Sequence, residues 1–427
     1  MNLRLFRRAH GPLSYPLPVS RRTPLLDLHR TGDALLSPYG SVSTPDSTIL
    51  LVEAFDPVQI EYAAIRTHAA IFDEPHRATL ALTGPDRLEF LNRMVTQELK
   101  GFAPHTTRRS FWLNRKGRID GDLKLLNLPA PHDRILIDVD AHAAERTRSG
   151  LASFIISEDC AIEDQSEYWH RLSVHGPAAC SILSKIAEPG ASAPITDIQP
   201  GQIITARIAG ADVLIDRHDI SGEIGLHLLI PTEHTAAVYE AISTPWSARD
   251  ARTVTPSTDR ARRIGWHALN IARIERGTPL YLADFGPDSL PHETGVETLA
   301  DRVSFKKGCY LGQEVVARMN ALGHPKQRLV GLRIELPPSD KTPGAFGLPD
   351  MPQAVTGTPV VAADEPGAPV IGAVTSSCCA PMLSQAHIAF AMVKWSHAKN
   401  DTKVWVQLDD RRLAATVRES LLFFTRG

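Results

Sequence analysis

The sequence predicts an α+β protein with two similar α/β parts followed by a small C-terminal β domain. Three observations carry that reading. A strand, a Gly-Pro turn and a helix occur twice, first around Gly84-Pro85 and again around Gly176-Pro177. Beyond Pro325 the texture changes to short strand-like pieces at close spacing, as in a small barrel or sandwich. The length of 427 residues leaves room for more than one core.

In chain order, residues 1–23 form an extension with Arg4, Arg7, Arg8, Arg21 and Arg22 ahead of the first acidic residue, Asp27. An Arg-rich, acid-poor start reads as a mitochondrial transit peptide and equally as a plain disordered start. Pro12, Pro16 and Pro18 interrupt any long helix there. A short helix is expected over Leu25–Leu36, then a Ser/Pro/Thr-rich connector to Ser47. Apolar spacing at Ile60, Ala63, Ala64 and Ile65 predicts a helix from Gln59 to Ala70. Alternation over Ala78–Leu82 predicts a strand, and Leu88, Leu91 and Met94 give Asp86–Val95 a helical apolar face.

Strands follow at Ser110–Leu113 and Leu123–Leu128 around the turn Asn114-Arg115-Lys116-Gly117. Ile135–Asp138 reads as a strand and Ala141–Phe154 as a helix. The second strand–turn–helix unit is Arg171–Val174, His175-Gly176-Pro177-Ala178 and a helix through Ile186. Val213–Asp216 and Leu226–Ile230 read as strands flanking Ser221–Gly225. Asp259–Gly277 reads as one helix, with Arg260, Arg262 and Arg263 on a solvated face. A boundary at Gly323–Lys326 gives 24–325 as the larger domain and 326–427 as the β domain. Its strands are Arg328–Ile334, Pro359–Val361, Val370–Val374, Ile388–Val393, Lys403–Gln407 and Ala414–Val417, with a Pro-, Gly- and Asp-rich segment over Pro337–Pro352.

A net charge of −2 indicates neither nucleic acid nor an anionic membrane as a partner. No run approaches the roughly 18 apolar residues of a membrane span. Cys160, Cys180, Cys309, Cys378 and Cys379 form no C-x-x-C pair. That argues for a reducing compartment and against a disulfide framework, a zinc ribbon or a resident cluster, so no metal site is expected. The expected location is cytoplasmic, with the mitochondrial matrix as the alternative that the Arg-rich start allows.

The stretch with the most chemistry runs from Lys306 to Arg318. Cys309 lies between Gly308 and Gly312, after Lys306 and Lys307 and ahead of a predicted amphipathic helix with Val315, Val316 and Met319 on one face. A thiol beside cationic side chains and a helix N-terminus has its thiolate favoured; a buried thiol in a tight turn is the plain alternative.

Read whole, this stretch is similar to the K-G-C-Y-x-G-Q-E-V-V-A-R signature of the YgfZ family, folate-binding iron–sulfur assembly factors within the glycine-cleavage T-protein superfamily. Lys307, Gly308, Cys309, Tyr310, Gly312, Gln313, Glu314 and the following Val-Val-Ala-Arg match every fixed position, and Asp301–Phe305 matches the D-x-V-S-F lead-in. From Pro24 to the C-terminus the chain resembles the wider superfamily at Leu82–Asp86, at Gly117–Leu123, at Ser221–His227, at Arg273–Gly277 and at Leu290–Gly295. The resemblance implies a ring of two ferredoxin-like α/β parts and a C-terminal β-barrel, with tetrahydrofolate in a central channel.

By position, the resemblance makes Asp122 the carboxylate near the reacting folate nitrogens. It also makes Glu223 and Arg273 cofactor-side candidates, and Trp112 and Tyr310 candidates for stacking on the pterin. Two departures stand out: His227 where many T-proteins have a pterin-contacting Glu, and Thr96-Gln97-Glu98 in place of Thr-Asn-Asp. T-proteins also lack the cysteine segment. Cys309 alone cannot complete a four-thiolate cluster, so a partner protein, a second protomer or a small thiol would supply the rest, with nearby His324 of this chain a conceivable second ligand. Cys378 and Cys379 read as barrel residues. The implied function is a tetrahydrofolate-binding accessory protein that assembles or repairs iron–sulfur clusters in client enzymes, tRNA-modifying ones included, through Cys309. The alternative is a folate-dependent aminomethyltransferase or demethylase using Asp122; a scaffold with neither activity is a third reading.

Overall fold

The computed structural model describes residues 21–40, 49–130, 132–243, 259–335, 354–408 and 411–425. The Arg-rich start, the Ser/Pro/Thr-rich connector and Pro337–Pro352 therefore lie outside the described residues, apart from Arg21 and Arg22. Two compact units are distinguished. One is drawn from Tyr15–Ser110 and Gly121–Leu269, the other from Phe111–Asp120 and Asn270–Gly427.

In the first unit two antiparallel-rich sheets lie face to face. The five-stranded sheet has the order Thr106–Leu113, Ile119–Leu128, Arg134–Asp140, Arg77–Thr83 and Ala161–Asp164. The six-stranded sheet runs Ile203–Ile208, Ala211–Arg217, Gly225–Pro231, Trp169–His175, Ala70–Asp73 and Arg262–Arg263. Side chains alternate across a strand, so each strand sorts its residues by face. Leu172, Val174, Leu226, Leu228 and Ile230 point outward to helices Ala179–Ile186 and Thr235–Ile242, where they meet Ile182, Leu183, Val238 and Tyr239 in one apolar core. The inner face is mixed. Leu214, Leu229 and Trp169 meet Ala81, Leu126, Leu128 and Leu136 of the other sheet. Beside them on the same face stand Arg171, Ser173, His175, Asp216 and His227, in the registers His227↔Ser173 and Asp216↔His227.

Several expectations change here. Leu25–Leu36 is not one helix: it is the helix Leu26–Thr31 followed by Leu35–Tyr39, which pairs with Ile49–Ala54. The helix expected to Ala70 ends at Thr67, and Ala70–Asp73 is a strand whose four residues are all buried. Asp259–Gly277 is also not one helix. Arg262–Arg263 pairs in parallel with Ala70–Ile71, and the helix is Trp266–Arg276. At Gly265 between them the chain runs against another backbone so closely that a Cβ would lie 2.1 Å from the Glu53 carbonyl carbon. Arg263 is accordingly buried, its guanidinium 5.5 Å from the Tyr239 ring centroid, and Arg262 bonds Asp56 at 2.7 Å. Neither is a solvated-face residue.

The second unit contains a closed barrel in the order Gln327–Ile334, Ala386–Lys394, Val370–Ala380, Pro359–Val361, Lys403–Leu408 and Arg411–Arg418. Val330, Leu332, Val374, Ala391, Val404 and Val417 fill it. Cys378 and Cys379 lie buried in one of its strands. The unit also takes in the hairpin tip Phe111–Asp120, where the Tyr281 hydroxyl lies 3.1 Å from the Ile119 carbonyl and 3.2 Å from that of Asp120.

Arg273, on the helix Trp266–Arg276, is 2% exposed. It donates to Asp284, to Ser376 Oγ at 2.6 Å and to Asn270 Oδ1 at 2.9 Å. Asp284 in turn accepts from Thr375 at 2.9 Å and from the Leu280 N–H at 2.9 Å. Removing one partner strands the other charge. Arg273→Ala and Asp284→Ala are each expected to lower stability by about 3–5 kcal/mol in denaturant unfolding, whereas Thr375→Ala costs about 1 kcal/mol.

Candidate functional site

Between the two sheets of the first unit lies a layer of buried charge. Lys124 Nζ bonds Asp216 at 2.7 Å and 3.0 Å and stands 3.7 Å from Asp138. Arg77 Nε donates to Asp138 at 2.9 Å. Arg171 lies 3.6 Å from Asp138 and 3.5 Å from Asp216, yet among the described residues none of its three nitrogens has a hydrogen-bond partner. Burial alone would push the Asp138 carboxyl up, but Arg171, Arg77 and Lys124 outweigh it and hold the carboxyl well below its usual range. Burial pulls the Lys124 ammonium down, against the pull of Asp216.

Asp122 shares this face, two residues before Lys124 on the same strand. Of the ten residues Ile119–Leu128, it alone is not fully buried. Asp122 is thus a partly exposed carboxylate flanked by buried residues on both sides along its strand. Glu223 is 5% exposed and sits 3.4 Å from Arg66, which also donates to the Ser221 carbonyl at 2.7 Å.

Sequence reasoning expected no metal site and missed the group Glu74, His175 and His227. Their ligand atoms lie within 4.8 Å of one another and all three are buried. His175 closes one strand, His227 lies on its neighbour, and Glu74 follows the strand Ala70–Asp73. The residues are far apart in sequence, so no local spacing announces them; only strand registry brings them together.

The cysteine stretch belongs to the other unit. Gly312 has φ 80° and caps the helix Gln313–Leu322; a Cβ there would lie 2.7 Å from the Asn114 carbonyl oxygen. Gly117 makes the reciprocal approach, with a Cβ placed 2.7 Å from that of Val315. These two glycines seat the helix start on the hairpin tip. Lys307 is buried with its ammonium 5.2 Å from the Tyr310 ring centroid, and burial pushes the Tyr310 hydroxyl up to about 12. Both turn inward. Gly308 and Cys309 are exposed, as is Glu314, while Gln313 is half-buried. The plain expectation of a buried thiol is thus replaced by an exposed one. His324 stacks on Trp395 with centroids 5.2 Å apart. Trp112 is buried, and its indole N–H finds no acceptor among the described residues.

The two sheets and the closed barrel define a class: a mixed α/β protein with a C-terminal β-barrel. Residues 26–304 match the GCVT N-terminal domain, and residues 346–423 match the glycine cleavage T-protein C-terminal barrel domain. The crystal structure of the glycine cleavage system aminomethyltransferase T from Bartonella henselae superposes with a TM-score of 0.74 at 21% identity, over 95% of this chain and 98% of that one. A probable aminomethyltransferase of Natronomonas pharaonis is 25% identical across 95% of this chain and 99% of its own. An aminomethyltransferase of Desulfitobacterium hafniense is 26% identical across 74% and 79%. The chain belongs to the glycine cleavage T-protein family. No helix among the described residues is long and apolar enough to cross a membrane.

The buried layer carries a pH signature. A depressed carboxyl stabilises the fold fully above its unfolded value, about 3.9, and loses that contribution as pH falls below it. Asp138→Asn is expected to cost about 3–5 kcal/mol at pH 7. The gap to the unsubstituted protein should narrow below about pH 4 when urea midpoints are followed with pH.

Proposed function

We propose that this chain binds tetrahydrofolate and carries out folate-dependent one-carbon transfer of the aminomethyltransferase type, with Asp122 as the acid–base carboxylate. The observation that carries the reading is the placement of Asp122. It is the one incompletely buried residue of its strand, on the same face as Lys124 and the charged layer. A general acid or base must stand within hydrogen-bond reach of its substrate nitrogen, and the partial exposure of Asp122 supports that role. The donors of Arg171 and the Ser173 hydroxyl, buried with no hydrogen-bond partner among the described residues, suit a ligand rich in acceptors such as a reduced pterin. Relatives of full length that are named aminomethyltransferases support the same reading.

A second reading is favoured by the exposure of Cys309: an accessory role in assembling or repairing iron–sulfur clusters in client enzymes, tRNA-modifying ones among them. One thiol supplies one ligand, so a partner protein would bring the others.

The two readings separate by variant. In an assay of aminomethyl transfer to tetrahydrofolate, Asp122→Asn is expected to lose about 10²–10⁴ in rate, and Cys309→Ala to keep full rate. The transfer reading falls, and the cluster reading stands, if Asp122→Asn supports cluster enzymes of a deletion strain fully while Cys309→Ala does not and neither variant alters transfer.

A further inference from the structure

Buried imidazoles are rarely left with both nitrogens unsatisfied, because each costs the desolvation of a polar group. His175 is fully buried, and among the described residues neither its Nδ1 nor its Nε2 has a hydrogen-bond partner. His227, 5% exposed, has an equally unpartnered Nδ1. That nitrogen stands 3.6 Å from Glu74 Oε1, beyond hydrogen-bond length. Two atoms bound tetrahedrally to one zinc ion at about 2.0–2.1 Å lie about 3.4 Å apart, so this pair already has the spacing of two ligands on one ion. The third member needs only a small closure, since all three ligand atoms fall within 4.8 Å.

The surroundings supply what a metal-binding imidazole needs. Nε2 of His227 faces the His218 carbonyl at 3.3 Å. Donating there fixes the proton on Nε2 and leaves the Nδ1 lone pair directed at the Glu74 side. Gly225 makes the approach of that carbonyl possible: a Cβ at 225 would lie 2.4 Å from His218 O and 3.1 Å from His175 Nδ1. Glu74 is held by its backbone, its N–H donating to Arg171 O at 3.1 Å and its carbonyl accepting from Arg77 N at 3.1 Å. All these residues belong to one compact unit.

We propose that Glu74, His175 and His227 bind one divalent transition-metal ion, of which zinc is the type, with the remaining coordination position open to water or a small ligand. Two neutral imidazoles and one carboxylate are a donor set that zinc takes in three-ligand sites, and the absence of thiolate separates it from structural four-cysteine sites. Because the ligands are buried, the ion is acquired as the unit folds. The alternative occupant of the same geometry is a proton, shared between His227 and Glu74 as a buried ion pair. The inference does not depend on the folate reading, since metal content is measured without folate or transfer.

The test is metal analysis of the full-length chain expressed with zinc, then desalted and measured by elemental mass spectrometry, with cobalt substitution as a spectroscopic probe. The expected result is one zinc per chain and a cobalt spectrum without thiolate charge transfer. Cys309→Ser should retain the zinc. Glu74→Gln, His175→Gln and His227→Gln should each weaken binding by at least the 10–100-fold typical of losing even an outer-shell partner. Circular dichroism checks that each variant folds. Should a variant fail to fold, the unsubstituted protein still decides. Zinc below stoichiometry after expression with the metal, cobalt bound through thiolate, or zinc retained by a folded His175→Gln/His227→Gln double variant would each overturn the proposal.

Discussion

Taking a charged side chain out of water costs several kcal/mol unless partners replace the lost solvation. The first unit meets that constraint between its two sheets, where Lys124, Arg77 and Arg171 share Asp138 and Asp216. Strand alternation makes the arrangement possible. The same strands send Leu172, Val174 and Leu228 outward to the helices and turn Arg171, Ser173 and His227 inward. The small apolar cluster around Leu126, Leu136 and Leu229 seals one part of the interior and leaves the rest polar. A layer of this kind specifies which sheet faces which, because a register slip of one residue would bury these charges against the helices instead. Among the described residues it also leaves the donors of Arg171 and Ser173 without hydrogen-bond partners.

The barrel-bearing unit solves the same problem on a smaller scale. Asp284 gathers Arg273, Thr375, Ser376 and the Leu280 N–H, tying the long helix to a barrel strand. The cysteine loop depends on close backbone approach instead, with Gly117 and Gly312 letting hairpin and helix meet. Turning Lys307 and Tyr310 inward uses the two large side chains as an anchor, so the thiol between them points out.

How much of this was legible follows from the range of the signals. The two strand–Gly-Pro–helix units, the hairpin around Asn114–Gly117 and most barrel strands declare themselves through alternation and turn residues, which are local. Ala70–Asp73 was hidden because a four-residue strand buried on both faces has no alternation and continues an apolar helix in sequence. Arg262–Arg263 looked like helix surface because nothing local reveals a parallel partner or the close approach at Gly265. The cysteine motif could be read outright, whereas its exposure depends on which neighbours turn inward. The bonds of Arg273 leave no local trace, because Asp284 lies beyond a loop and Ser376 is a further 92 residues away, on a barrel strand. Glu74, His175 and His227 carry no spacing rule at all. Strand registry assembles them, and registry is a tertiary property.

On the proposed function, tetrahydrofolate enters the interior layer of the first unit beside Asp122, and calorimetric titration of the intact chain with tetrahydrofolate measures this. Saturable binding of one tetrahydrofolate per chain is expected, weakened when Arg171 is replaced by Met. Absence of any saturable heat from a folded chain, or binding indifferent to that replacement, would contradict it.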